Sequence, residues 1–405
     1  MSYRVNNFKN AVHGFFLSLA VTVAEPSTIL PLIVNHFSSS LVLVGLFASL
    51  LRGGAIAVQL FAAFYAQSYT RVIPYLRIVF FFRFLFWFSI GGSIFFIGDD
   101  NPELTLWLIG IGLFGFSFSA GFGGIYFKEI VAKLFDREQR GRTMANRQLF
   151  SSLGAIISGA ISGWILQAFE APTNYALLFM VSSLFMSIGL VVFATVEEPA
   201  KSRVSSRESS FALFLKNAGT ILGSDRRLQI QIAASLLGYS FLLAMPFVIL
   251  QAKETISLDG WLIGSFITIQ MIGSMAGNMF LWKRFGSSYA KMLMTAFSLM
   301  LISFTIALFQ GGEYGYMMIF FIFGIAVDGF RNADMNLVLE IAPEEKRPVY
   351  VAIQSTIVSI GLFFSIPGGA ILKHFGYETL YFITITLLLA GLYTAFLLQK
   401  SLPKS

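Results

Sequence analysis

Glu25, Arg52, Asp328, Arg331 and Asp334 are ionisable residues set inside long apolar runs. A charge placed there costs several kcal/mol unless it faces a cavity or a partner. Side chains kept at such a cost point to chemistry: a carboxylate can carry a proton, and a guanidinium can hold an anionic group. Asp328, Arg331 and Asp334 recur at i, i+3 and i+6, which places them within about a third of a helix's circumference, acid on either side of base. Asn332 and Asn336 lie beside them. This polar face suits a proton or the charged end of a small solute, and its oxygens also suit a hard cation such as sodium. Glu25 is followed by Pro26, which lacks a backbone donor and favours a kink. Arg52 falls near mid-depth of the next run, so the two can meet. Movement that separates such a pair would favour protonation of the acid.

A second set of charges lies at the ends of the apolar runs. Arg71, Lys128, Glu129, Arg142, Arg147 and Arg347 gather on one side of the membrane and read as a gate closing the inner mouth. Arg147 is expected to neighbour Lys128, Glu129 and Lys133. Arg83, in RFLFW, is expected to snorkel toward the near surface.

No catalytic set is legible. The chain has no Cys, and its His residues, His13, His36 and His374, are scattered, so neither thiol chemistry nor a His-ligated metal is expected. No GxxxxGK[ST] phosphate loop occurs, so a gradient rather than nucleotide hydrolysis is the expected energy source, with no cofactor.

The elements that position these residues follow from hydropathy. With 56% hydrophobic and 12% charged residues and a mean hydropathy of +0.75, the 405-residue chain cannot dress itself as a soluble globule. Apolar stretches at about 10–34, 40–65, 73–97, 104–127, 143–168, 174–196, 228–251, 258–282, 290–310, 314–342, 349–373 and 377–399 are each long enough to cross a bilayer as a helix. Period-two alternation is absent, which disfavours a β-barrel. The expectation is an all-α integral membrane protein with twelve spans, numbered here in chain order. Residues 1–196 form one six-helix bundle and 228–405 the other. Residues 197–227 form a linker that contains SRVSSRESS and an amphipathic helix over FALFLKNAGTIL.

Basic residues crowd the loops on one side, with only Lys253 and Lys373 on the other, so both termini and the linker are assigned to the cytoplasm. The net charge of +7 therefore reads as topology and lipid contact, not nucleic-acid binding.

The second half repeats the first. Gly45, Gly54 and Ser68 pair with Gly264, Gly273 and Ser287; Arg140, Gly154 and Ser158 pair with Arg347, Gly361 and Ser365; Pro31 in span 1 pairs with Pro246 in span 7. Two six-helix halves joined by a cytoplasmic linker resemble the major facilitator superfamily. RGRTMANRQ after span 4 and NLVLEIAPEEKRPVYVAIQ at the end of span 10 are similar to a poorly characterised bacterial branch of it. The resemblance implies a site near the midplane, spans 1, 4, 7 and 10 around a cavity, and spans 2, 5, 8 and 11 between the halves. The family's loop signature between spans 2 and 3 is reduced to Arg71, with Gln67 where an acid is expected.

The repeat maps Glu25 onto Ser240, Arg52 onto Met271, and Asp328, Arg331 and Asp334 onto Gly121, Gly124 and Phe127. Positions that break a repeat are the better candidates for chemistry. The expected function is secondary transport of a small anionic or zwitterionic solute by alternating access, proton-coupled through Glu25 or the Asp328/Asp334 pair. Expected partners are the solute and the lipid bilayer of a bacterial inner membrane, with the chain a monomer. A proton-antiporting exporter of amphiphiles and a non-transporting sensor on the same fold are the competing readings.

Overall fold

The computed structural model describes residues 3–25, 27–66, 69–135, 137–200, 219–285, 288–309, 311–343 and 347–401. Within these, the side chains of residues 57, 59–66, 137, 138, 140, 141, 347–349 and 352 fall outside the description. The expected linker helix lies largely outside the described residues, as do Pro26 and Gln67. Among the described residues there is no strand, and nine helices are long and apolar enough to cross a membrane.

In chain order the helices are α1 (Tyr3–Thr22), α2 (Ile29–Phe37), α3 (Leu41–Ala66), α4 (Ile73–Phe96), α5 (Pro102–Leu134), α6 (Arg137–Ala168) and α7 (Thr173–Ala194). There follow α8 (Arg226–Gly238), α9 (Phe241–Thr255), α10 (Gly260–Ala276), α11 (Tyr289–Leu308), α12 (Gly312–Ile341), α13 (Arg347–Val358) and α14 (Ser365–Ser401). α14 is two helices joined at Gly376, whose φ of 78° is open to glycine without strain. The outward faces are apolar: Phe96 and Phe309 are each 78% exposed, and Trp107 is 68% exposed. Water would not tolerate that surface, whereas lipid does. This is a multi-pass α-helical membrane protein.

Two breaks matter for function. Span 1 is interrupted between α1 and α2, where Glu25 N–H donates to Thr22 O at 3.1 Å and Glu25 O accepts from Thr28 N–H at 3.1 Å. Span 7 is interrupted at Tyr239 and Ser240, between α8 and α9. The offset that pairs Pro31 with Pro246 also pairs Glu25 with Ser240, so the two halves break at one repeat position.

The chain divides into two compact units. Unit 1 comprises Met1–Ser39, Leu50–Arg207 and Leu258–Thr268. In it α1 packs on α6 and α7, and α4 on α5 and α7. Close approach requires glycine at Gly154, where an added Cβ would lie 2.3 Å from Phe15 O, and at Gly264, where it would lie 2.5 Å from Gly159 O. The buried Trp87 donates its indole N–H to Ser182 at 2.9 Å.

Unit 2 comprises Ser40–Ser49, Glu208–Ser257 and Ile269–Ser405. In it α11 packs on α12 and α14, and α14 on α8 and α9. α10 ends in a wide π turn, Gly277–Leu281, followed by a 3-10 turn, Trp282–Phe285. Asp225 caps α8, accepting from Arg227 N–H at 2.9 Å and Leu228 N–H at 3.3 Å. The Tyr350 hydroxyl donates to its other oxygen at 2.8 Å.

Burial works against ionisation of Asp225, but the Tyr350, Leu228 and Arg227 bonds and the Arg227 charge outweigh it and hold the carboxyl below its ordinary value. Such a group stabilises the fold above its unfolded pKa of about 3.9, and the contribution is lost as pH falls through the lower folded value. Tyr350→Phe is therefore expected to cost about 1–2 kcal/mol at pH 7. Thermal unfolding in detergent should show that cost shrinking once the pH drops below about 4; an equal cost at both pH values would contradict the assignment.

Candidate functional site

In unit 1 the structure brings Glu25 and Arg52 together. An Arg52 Nη lies 3.9 Å from Glu25 Oε1, and Ser27 donates its hydroxyl to the same oxygen at 3.2 Å. The break between α1 and α2 turns Glu25 out of the helical ladder, and α3 delivers Arg52 to it. At this length the pair is an electrostatic contact and not a tight fork, so its partners can be exchanged at modest cost.

In unit 2 the three charges of α12 part company. Asp328 Oδ2 accepts from the Ser274 hydroxyl and from Asn278 Nδ2 at 2.7 Å. Asn332 Nδ2 donates to Asn278 Oδ1 at 3.2 Å, and Asn336 Nδ2 to Asn332 O at 2.7 Å. A polar ladder thus runs between α12 and the end of α10, where the π turn carries Asn278. Arg331 is exposed and makes no ion pair among the described residues.

Asp334 turns the other way. Its Oδ1 accepts from Gln231 Nε2 at 2.9 Å and from the Ser235 hydroxyl, and its Oδ2 accepts from Gln354 Nε2 at 2.8 Å. Six residues on a helix turn through about 600°, leaving the two acids roughly 120° apart. One therefore meets α10, while the other meets α8 and α13. The expected single face, acid flanking base, is two separate carboxylate sites with Arg331 outside both. Asp334 is only 9% exposed, and its donors are all neutral; no cation pairs with it among the described residues.

Arg147 and Arg83 also depart from expectation. Arg147 does not join Lys128 or Glu129. Its Nη1 donates to Asn10 O at 2.9 Å and to His13 Nδ1 at 2.8 Å, with the guanidinium 4.5 Å from the centre of the Phe127 ring. Arg83 does not snorkel: it is 9% exposed and lies over Phe116 at 4.8 Å. It sits ten residues into α4 and points inward, where an aromatic face receives it.

The charges of the expected gate sort differently. Lys133 lies 3.7 Å from Glu129 and 2.5 Å from Glu198, and donates to Thr70 O at 3.1 Å. The Glu198 carboxylate accepts from Val72 N–H and Ile73 N–H, each at 2.8 Å, at the start of α4. That helix end has no side-chain cap of its own, so a buried carboxylate meets its orphan donors and its dipole. Arg71, Lys128 and Arg142 are exposed, and the Arg347 side chain lies outside the described residues.

The signal for several of these partners was present. Gln231 and Ser235, like Ser274 and Asn278, are neutral polar pairs at i, i+4 in apolar helices, and such pairs face one neighbour. Glu198 carried none, because only the folded chain returns it to α4.

Helices long enough to span a bilayer, matched breaks in spans 1 and 7 and buried carboxylates define a polytopic membrane protein of the carrier type. The major facilitator superfamily profile matches residues 11–365 and 230–405, and the chain belongs to that superfamily, as a transporter and not an enzyme. No curated protein sequence matches it. Solved structures share its fold. A D-xylose-proton symporter is 15% identical, with 99% of this chain and 98% of the other covered and a TM-score of 0.74. A POT family transporter in complex with a thioalcohol-conjugated peptide is 12% identical, with 98% and 96% covered and a TM-score of 0.75. A bacterial homologue of the human lysosomal transporter Spinster, inward-facing and unoccupied, is 13% identical, with 99% and 98% covered and a TM-score of 0.66.

Proposed function

We propose that this transporter moves a small anionic or zwitterionic solute by alternating access, driven by protons, with Asp334 as the proton carrier. The observation that carries the reading is the Asp334 carboxylate, buried among Gln231, Ser235 and Gln354 with no cation. Protonation there dissolves no ion pair, whereas protonation of Glu25 would discharge its contact with Arg52. It also changes the bonding: a carboxylate accepts every available bond, whereas a carboxylic acid must donate one. The donor that faces the protonated oxygen, on α8 or on α13, must then turn to accept, so a proton loosens a tie that α12 makes to a neighbour. In unit 2 the Asp328–Asn332 ladder supplies polar contacts for a charged solute. The energy source is the proton gradient, without a cofactor. The site of action is a bacterial inner membrane, with twelve spans, both termini cytoplasmic and a monomeric chain in lipid.

The test is uptake into proteoliposomes across an imposed pH gradient, using a panel of small carboxylates and amino acids. One pH unit supplies about 1.4 kcal/mol per proton, enough for a roughly tenfold solute gradient at one proton per solute. The expected result is such an accumulation for at least one solute, collapsed by a protonophore. Gradient-driven movement of amphiphiles alone would favour the exporter reading, and no flux of solute or proton would sink the transport reading. In the same assay Glu25→Gln is expected to slow uptake about tenfold by removing the charge that faces Arg52, a loss near 1.4 kcal/mol, while the final accumulation ratio stays unchanged. A ratio reduced to one would move the proton to Glu25.

A further inference from the structure

Among the described residues the core of unit 1 holds two guanidinium groups and no acid to match them. Arg83 and Arg147 make no ion pair with a carboxylate among the described residues, and the His13 ring that Arg147 holds lies 5.6 Å from the Phe80 ring on α4 and 5.7 Å from the Phe127 ring on α5. Three donors around them are buried without an acceptor: Arg83 Nε, Asn10 Nδ2 and His13 Nε2. The histidine assignment follows from its partner. A guanidinium only donates, so His13 Nδ1 accepts from Arg147, and the ring proton of the neutral imidazole resides on Nε2. His13 is 3% exposed and Asn10 is fully buried. Unmatched buried cations and orphan donors of this kind are costly unless an anion meets them.

The repeat shows which acid unit 1 lacks. The offset that pairs Arg140 with Arg347 pairs Arg147 with Gln354 and Phe127 with Asp334. In unit 2 the latter two are in contact, Gln354 donating to the Asp334 carboxylate. In unit 1 their equivalents are also in contact, Arg147 lying over Phe127. The donor has become a cation while the acid has become a ring, so unit 1 keeps the anion-holding half of the pair without a built-in anion. The α5 backbone approaches the guanidinium with no side chain of its own between: a Cβ on Gly123 would lie 3.4 Å from Val79 Cγ1 and 3.8 Å from Arg83 Nη1.

From this we infer a binding site for a compact monoanion, a carboxylate group or a halide, held by Arg83 and the His13 Nε2–H, with Arg147 on the other ring nitrogen fixing that proton on Nε2. It does not rest on proton coupling, because binding alone reports it. Aromatic rings crowd the site, with Phe193 stacked 4.8 Å from the His13 ring and Phe127 at 5.7 Å. Bulky or multiply charged anions therefore fit poorly.

The test is thermal unfolding of the purified full-length protein in detergent, titrated with sodium acetate or sodium chloride against methanesulfonate at constant ionic strength. A ligand that binds only the folded state raises the midpoint, so a saturable rise of about 3–5 °C is expected with one of the two anions. Arg83→Gln and Arg147→Gln should each abolish it. A rise with acetate alone identifies the carboxylate end of an organic ligand, and a rise with chloride identifies a resident halide. No rise in the wild type, or the same rise in both variants, overturns the site. If the Gln variants do not yield folded protein, Arg83→Lys and Arg147→Lys carry the test, since Lys keeps the charge but loses the fork. The half-saturating concentration should then climb about tenfold or more, and an unchanged value in both variants overturns the proposal.

Discussion

Glu198→Ala should destabilise the protein by about 3 kcal/mol or more, the range for breaking a buried ion pair by removing one partner. The Glu198 side chain is 1% exposed and that of Lys133 is 10% exposed. Removing the carboxylate leaves Lys133 with the longer Glu129 contact, at 3.7 Å, and leaves the Val72 and Ile73 N–H groups at the start of α4 without their acceptor. Glu198→Gln keeps an acceptor for those donors and loses only the charge, so its cost should be smaller. Differential scanning in detergent checks both values. A double-mutant cycle with Lys133→Met isolates the pair: a coupling above about 1 kcal/mol is expected, and additivity within about 0.5 kcal/mol would contradict the ion pair.

Asp334→Asn should leave the fold intact and abolish proton-driven accumulation. Asn has the same shape, and the surrounding amides can turn, because Gln231 and Gln354 each offer both a donor and an acceptor. Stability is expected to change by no more than about 1 kcal/mol. Solute exchange with equal solute on both sides should persist, because it needs no net proton movement. The accumulation ratio across one pH unit should fall from roughly ten to about one. Loss of exchange together with accumulation would instead assign Asp334 to solute binding.

Legibility in the sequence followed the range of the interactions. Apolar run lengths determine which segments cross the membrane, and the Pro31–Pro246 register placed Glu25 and Ser240 at equivalent positions, where both halves break. Adjacent spans with a polar residue at similar depth were enough to suggest Glu25 beside Arg52, now seen at 3.9 Å. Spacing along α12 gave the angular positions of Asp328, Arg331 and Asp334 but not the neighbours on either side of that helix. Those neighbours split the set into two carboxylate sites. Arg83 was expected at the surface because a long side chain near a helix end can reach it. The inward-facing register of α4 and the Phe116 ring decided otherwise. Glu198 was invisible for the same reason: its role depends on a chain reversal that brings residue 198 back to residue 72, and no local pattern encodes that.

Proton coupling through Asp334 is tested most directly by proton movement itself. A pH-sensitive dye trapped in proteoliposomes, with no pH gradient imposed and the membrane potential clamped, should report acidification or alkalinisation when the transported solute is added to one side. A solute-evoked proton flux is expected in wild-type protein and its absence in Asp334→Asn, although that variant still exchanges solute. Solute uptake without any proton flux, or an undiminished flux in Asp334→Asn, would contradict coupling through Asp334.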